Sequence, residues 1–389
     1  MSSSQSMRRS RRILSVVIIF FWASEYCHVP YFTPYLTMLG FGASAIGVMT
    51  GTYGFTQMLV RIPLGIATDA TGGYRRVVLM GTLFTTVSSF GLMFATSAAF
   101  IIFCRFLAGV AASTWLAFSV LYSAYYDPEE GVQAMTSINV FNNTGKLLAF
   151  MLGTIVATLW GYRYPLVISF LTGVVAVILA LQLKEVPIHK EPMRLSVLAH
   201  TFRNPSVLLP ALFAIVLQMV VQGTAFSFTS TVAEELGATS VQIGINTALF
   251  TVVQVVAGGW LGKHFTPRLG TTKSVAAGFL LLTASCGIIA AAGSVWQLFL
   301  AQILGGAGNI LLMSILMALA IKRVPAENKS TAMGLFQALY GIGMTLGPVT
   351  VGRLADVRGY SFAYAMFAVL CVAAAVLAGV TLPGLEKEK

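Results

Sequence analysis

Charge is what this chain has least of. Asp, Glu, Lys and Arg together supply 10% of its 389 residues, against roughly 25% in a soluble domain. So little charge cannot cover a water-exposed surface of this size. Acids are scarcest, with 13 Asp and Glu, and there are only 4 histidines. The 4 cysteines, Cys27, Cys104, Cys286 and Cys371, stand singly in apolar stretches without a Cys-x-x-Cys spacing. They are expected to be buried packing residues, and neither a disulfide nor a bound metal follows from them. His-Glu-x-x-His and Gly-x-Ser-x-Gly are both missing, which removes the usual signatures of a metalloprotease or a serine hydrolase. An enzyme, a cofactor and a metal site are therefore not expected.

Hydrophobic residues make up 57% of the chain. Apolar stretches long enough to cross a hydrocarbon core about 30 Å thick recur along its whole length. They cover 13–38, 44–68, 76–96, 98–124, 132–159, 164–183, 205–232, 240–262, 271–292, 294–322, 328–354 and 359–382. The separators are short and carry turn residues, such as Gly40-Phe41-Gly42, Thr71-Gly72-Gly73, Asp127-Pro128 and Gly161-Tyr162. Only 184–204 is long and charged. The pattern predicts an all-α integral membrane protein of twelve transmembrane helices. These form two pseudo-symmetric six-helix halves, 1–183 and 205–389, joined by a cytoplasmic linker over 184–204.

The net charge of +11 invites a nucleic-acid reading, which the placement of the charges rejects. With the N-terminus cytoplasmic, eighteen of the 24 Lys and Arg fall on the cytoplasmic side. The outer loops hold only Arg163, Arg353 and Arg358, while Arg61, Arg105 and Lys146 lie inside spans. This is the positive-inside distribution, and it predicts that both termini are cytoplasmic. Arg61, near the inner end of its span, is expected to snorkel to the headgroups. Arg8-Arg9-Ser10-Arg11-Arg12 resembles the start of a signal peptide. The apolar run behind it is too long, contains Glu25 and lacks a small-residue cleavage site, so an uncleaved first helix is expected.

The two halves are weak copies of each other. Set against the residue 197 positions on, Gly40 meets Gly237, Ile46-Gly47 meets Ile243-Gly244, Gln57 meets Gln254 and Gly109 meets Gly306. With a drift of one residue, Gly145 meets Gly343 and Gly161-Tyr162 meets Gly359-Tyr360. One offset that holds from end to end implies two structurally equivalent repeats. In membrane carriers such repeats frame a binding site near the bilayer midplane.

The segment Gly65-Ile-Ala-Thr-Asp69-Ala-Thr-Gly72-Gly73-Tyr-Arg75-Arg76 places an acid and a basic pair on a tight glycine turn. It resembles the loop signature of the major facilitator superfamily, with Gly73-Tyr74 inserted before the basic pair. The resemblance extends to the length, the twelve spans, the repeat and the central linker. Arg105-Phe-Leu-Ala-Gly109 resembles the family's second signature, an intramembrane Arg tied to proton coupling or substrate charge, and Gln302 is its repeat mate. The equivalent loop of the second half has Thr266 where the acid would be. A better copy of the spacing sits at Gly352-Arg-Leu-Ala-Asp356-Val-Arg-Gly359. On the fifth span Gly145-Lys146 replaces the Gly-Pro signature of family antiporters, which Gly343-x-x-x-Gly347-Pro348 on the eleventh resembles more closely. The resemblance implies that Gly65, Asp69, Gly72, Arg75 and Arg76 form a gating loop at the inner face.

Four ionisable side chains lie deep inside spans: Glu25, His28, Arg105 and Lys146. At about 1.5 Å per residue they all lie roughly 18–22 Å from the cytoplasmic face. Isolated charges there are costly, so each is expected to face a partner or a water-filled cavity. Polar stripes accompany them: Trp22 and Phe32 on the first span, Asn139 and Asn142 on the fifth, and Gln57 on the second. The second half adds Gln218 and Gln222, Asn246 and Gln254, Gln302 and Asn309, and Gln337 and Tyr340. The resemblance puts these helices around a substrate cavity. A plainer reading stays open, with Glu25 in a structural ion pair with Lys146 or Arg105, His28 as a packing histidine and the amides as interhelical hydrogen bonds.

The expectation is a secondary active carrier working by alternating access and coupled to protons. The slab is net positive by one before His28 is counted, which favours a small organic anion or zwitterion. Trp22, Tyr26, Tyr31, Phe32, Trp115 and Phe141 would accept an amphipathic or ring-bearing body. Export is favoured because compact chains of this family are often exporters; uptake of an organic anion and a non-transporting sensor or scaffold stay open. The expected partners are the substrate, protons and the lipid bilayer, with no nucleic acid. The chain is expected to be a monomer in the cell membrane.

Overall fold

A computed structural model describes residues 3–127, 130–188, 201–260, 266–325 and 328–387. Among them every regular element is helical: α1 Ser3–Tyr26, α2 Val29–Met38, α3 Ala43–Thr71, α4 Tyr74–Phe94, α5 Ala98–Ser113, α6 Trp115–Ala124, α7 Gly131–Trp160 and α8 Tyr164–Ala180. There follow α9 Pro205–Gly223, a wide turn Thr224–Phe228, α10 Thr229–Glu235, α11 Ser240–Trp260, α12 Thr266–Leu269, α13 Thr271–Ala290, α14 Val295–Lys322 and α15 Lys329–Lys387. In a hydrocarbon environment each backbone group must be paired within its own segment, so apolar runs of this length form helices. Large apolar side chains stay uncovered by protein, among them Val256 at 74%, Val380 at 73% and Trp296 at 72% exposure. Such a surface suits lipid.

Among the described residues, nine helical segments are long and apolar enough to cross a membrane, with the shorter Tyr164–Ala180 beside them. Each predicted stretch lies largely on helix, but the segments that meet this criterion do not number twelve. The helix α3 is not one of the nine, and the last two stretches share α15, which is interrupted only at Gly359. There φ is +83°; glycine alone takes that conformation readily, so the chain turns between the two stretches without a loop. Residues 189–200, the bulk of the expected linker, lie outside the described residues.

The chain forms two compact units. One comprises Met1–Tyr31 with Leu59–Met193, the other Phe32–Met58 with Arg194–Lys389. The first is centred on Phe21, Trp22, Phe118, Tyr122 and the aliphatic residues around them. In the second, Phe213 packs against Phe279, with ring centres 5.8 Å apart. The segment Phe32–Met58, most of α2 and the first half of α3, packs within the second unit although it belongs to the first repeat.

The repeat has a direct structural counterpart. Among the described residues the positive-φ positions are all glycines: Gly40, Gly72, Gly161, Gly237, Gly270 and Gly359. They form three pairs 197 or 198 residues apart. The Ser88 hydroxyl donates to the Cys104 carbonyl at 2.7 Å, and Ser285, 197 residues on, donates to that of Ala301 at the same distance.

Candidate functional site

The first helix breaks where its charges lie. Pro30 has no amide hydrogen to offer the Tyr26 carbonyl, so α1 ends at Tyr26 and α2 begins at Val29. The chain is rejoined by Tyr31 N–H donating to His28 O at 3.0 Å. Glu25 and His28 therefore flank a discontinuity. Its repeat mate is the wide turn Thr224–Phe228, closed by Thr229 N–H donating to Thr224 O. Paired breaks in equivalent helices are the usual frame of a midplane binding site.

Within the first unit Glu25, His28 and Arg105 are buried, at 4%, 3% and 8% exposure. Arg105 lies within electrostatic reach of both Glu25 and His28. The Thr85 hydroxyl reaches the Glu25 carboxyl, whose Oε1 has no hydrogen-bond partner. A small hydroxyl network stands behind them. Ser24 donates to Ser169 O at 2.7 Å and lies 3.2 Å from the Thr85 hydroxyl, while His28 Nδ1 lies 3.0 Å from Ser169 Oγ. Either hydroxyl of the Ser24–Thr85 pair can donate to the other, and Thr85 also reaches the Glu25 carboxyl. Gly173 lets α8 close on this network, since a methyl group there would come within 2.6 Å of Thr86 Oγ1 and 2.9 Å of Ser24 Oγ.

Lys146 is held differently. Its Nζ sits 4.7 Å from the Trp22 ring centre and 4.8 Å from that of Tyr26. Trp115 meets Trp22 edge-on at 5.2 Å. Among the described residues no carboxylate pairs with Lys146, so the Glu25–Lys146 ion pair is not formed. The neighbouring Gly145 explains the placement: a methyl group there would lie 2.6 Å from Ile19 O and 3.1 Å from Trp22 Cβ, so its absence lets α7 press onto α1. A cation over aromatic faces gains about 0.5–2 kcal/mol yet keeps its hydrogens free to donate. Beside it, Trp22 Nε1 and Asn142 Oδ1 are buried without hydrogen-bond partners. Asn139, a turn earlier, is exposed and donates to its own helix at Met135 O, 2.9 Å away.

In the second unit the predicted polar residues are neutral. Asn246 is fully buried with neither amide atom hydrogen-bonded, and Gln302 Nε2 and Asn309 Oδ1 are likewise without partners. Gln254 donates to Phe250 O on its own helix at 3.3 Å. Gln57 is buried at 5% and Phe32 at 5% exposure, whereas Gln222, Gln337 and Tyr340 are half-buried. Phe32 and Gln57 thus belong to the second unit, apart from the first-repeat residues with which their sequence positions group them.

The predicted gating loop has well-defined partners. Gly72, at φ +65°, turns the chain, and Tyr74 donates to Asp69 Oδ1 at 2.6 Å. The inserted Tyr74 is therefore one partner of the acid. Arg75 Nη2 donates to Leu181 O at 2.9 Å, and its backbone N–H to Glu185 Oε1 at 3.3 Å. Arg76 is exposed, and Gly65 faces Leu116. Arg61 is buried against protein at 7% exposure. Residues missed in the sequence are Ser24, Thr85 and Ser169. Hydroxyls are common in membrane helices, and nothing in their spacing singles these out.

Comparison with known proteins places this arrangement. The family profile described as Major Facilitator Superfamily matches residues 14–234 and 211–389. An uncharacterized MFS-type transporter of Methanocaldococcus jannaschii is 20% identical over 356 residues, 90% of this chain and 92% of its own. Multidrug resistance protein 1 of Bacillus subtilis is 27% identical over 163 residues, 41% of either chain. The crystal structure of the nucleoside transporter NupG superposes with a TM-score of 0.80 at 16% identity, covering 98% of this chain and 100% of that one. At that identity the likeness concerns the fold.

Proposed function

The chain belongs to the major facilitator superfamily, a family of membrane transporters, and on that premise we propose that it is a proton-coupled carrier of small organic anions or zwitterions. The observation that carries this reading is Lys146, a cation over Trp22 and Tyr26 with no acid paired to it among the described residues. A carboxylate or phosphate would engage its free N–H donors through charge-assisted hydrogen bonds. The rings around it suit an amphipathic or aromatic body.

Glu25 is the proposed coupling group. Ionised, it offsets one of the two positive charges of Arg105 and Lys146; protonated, it leaves the site more positive by one, so proton and anion bind together. The Thr85 hydroxyl can donate to the ionised carboxylate and accept from the protonated carboxyl, so it serves both states of a coupling group. Co-binding under an inward proton gradient drives uptake, so the charge arrangement supports uptake rather than the export expected from the family resemblance. Export is the second reading, supported by the partial likeness to multidrug resistance protein 1. It requires substrate to displace the proton.

The test is transport by purified protein in vesicles. An imposed inward proton gradient should raise accumulation of a panel of organic anions, and counterflow should proceed without a gradient. Accumulation that falls under this gradient points to exchange and export, and absence of counterflow for the whole panel removes the anion reading.

A further inference from the structure

The helix α3 begins without a cap of its own. The first N–H groups of any helix lack intrahelical partners, and Gly42, which precedes Ala43, has no side chain to supply one. The partner comes from 313 residues away. Asp356 Oδ1 accepts from Ala43 N–H at 3.0 Å, and Oδ2 from Ser44 N–H at 2.8 Å. Both ends of this contact belong to the second unit. A bidentate carboxylate at a helix N-terminus is favoured by the peptide dipoles and by charge-assisted hydrogen bonding.

Below the cap, two backbones run in contact through glycine. A methyl group at Gly51 would lie 2.7 Å from Thr345 O, at Gly54 2.6 Å from the Met344 carbonyl carbon, and at Gly341 3.0 Å from Met58 Cβ. One at Gly47 would strike Pro348 O, and one at Gly352 would strike Ala43 O. The contact runs from Ala43 to Met58, about 22 Å of helix. Side chains are nearly excluded from it, so the faces meet by close packing alone.

The repeat supplies an internal control. The helix α11, mate of α3, caps itself: Thr239 Oγ1 accepts from Gln242 N–H at 3.3 Å, and Gln242 Oε1 from Thr239 N–H at 2.8 Å. The mate of Asp356 is Thr158, which donates to Thr154 O within its own helix. The fold therefore does not require capping from a distance, and only one of two equivalent positions uses it.

We propose that Asp356 is a releasable latch on the extracellular face, clamping the start of α3 against the Gly341–Gly352 face of α15 and so setting how often that face opens. The sidedness rests on the proposed topology with both termini cytoplasmic. A carrier that exposes a midplane site outward must part helices on that face, and the cap is a charged contact that has to break there, beside the neutral ones that Thr33 makes with Ser227 O and Thr231.

The experiment reads opening directly, with a membrane-impermeant maleimide in right-side-out vesicles. Thr50→Cys, buried at 7% exposure beside the glycine face, reports opening, and Val357→Cys, at 77%, reports sidedness. Asp356→Ala should speed Thr50→Cys labelling about fivefold, a factor typical of losing a helix cap, and Asp356→Asn should do so less. Ser44→Pro removes two donors to Asp356, the backbone N–H and the hydroxyl, within the first helical turn, where proline costs no intrahelical hydrogen bond. It should also speed labelling, and combined with Asp356→Ala it should add nothing further. Unchanged labelling in Asp356→Ala, or additive effects in the double variant, would overturn the latch. Val357→Cys that reacts only from the opposite side would overturn the topology and the extracellular assignment. Because the labelling needs no substrate, failure of the anion reading leaves this result intact.

Discussion

The two repeats share a backbone plan and differ in charge. Both break their first helix at equivalent points, Cys27–His28 and Thr224–Phe228. Both turn at positive-φ glycines with common offsets, and both tie a serine to the same carbonyl position. Yet the first repeat places Glu25, His28, Arg105 and Lys146 around its break, while the second offers Asn246, Gln302 and Asn309. Arg105 and Gln302 occupy the same place in the repeat. The lesson is that helix packing tolerates either chemistry there. A buried charge costs more than an amide, so its presence in one repeat only is consistent with the coupling role proposed above.

Removing Glu25's charge breaks that asymmetry most completely. Glu25→Gln should abolish accumulation driven by a proton gradient while leaving counterflow measurable, since shape and hydrogen bonding are retained. A structural ion pair predicts otherwise. Leaving Arg105 uncompensated would cost about 3–5 kcal/mol, so the protein would be poorly folded, and Glu25→Gln with Arg105→Met together would restore full gradient-driven transport. Expression, thermal unfolding and driven transport of the three variants separate the two cases.

Lys146→Met is expected next in size. It keeps much of the stem over Trp22 and Tyr26 but removes the ammonium, so folding should persist. The apparent affinity for an anionic substrate should fall about 10- to 100-fold, the equivalent of about 1.5–3 kcal/mol for a charged hydrogen bond. An unchanged KM for anions would show that the cation is only a packing element.

The smallest effect is expected at the gating loop, where Asp69→Asn makes the first loop resemble its mate with Thr266. Tyr74 keeps an acceptor but loses a charged one, worth about 0.5–1 kcal/mol, so transport should slow roughly two- to fivefold with the protein still in the membrane. Wild-type rates would show that the loop's likeness to the family signature carries no gating.

The extent of helix, the repeat and the turns were legible because each depends on short-range patterns. Apolar runs force helix, and glycines 197 or 198 residues apart mark equivalent turns. The four deep charges were legible as well, because charge in an apolar run has no local explanation. Their partners were not. Equal depth left Glu25 free to pair with Lys146 or Arg105; rotation about the helix axes puts Arg105 beside Glu25 and Lys146 over the rings of Trp22 and Tyr26. Asn139 and Gln254 followed the polar stripes but donate to their own helices. Arg61 near a helix end read as an interfacial residue and is buried.

Composition and period by themselves determined a helical membrane protein with an internal repeat, because in lipid the backbone has few other ways to satisfy its polar groups. Which side chains meet was decided only in the folded chain. The break at Pro30, the absent side chain of Gly145 and the glycine faces of α3 and α15 set how closely helices approach. That spacing brings Lys146 onto Trp22 and Asp356 onto Ala43 and Ser44. Contacts made 124 and more than 300 residues apart depend on packing geometry, which no local pattern encodes.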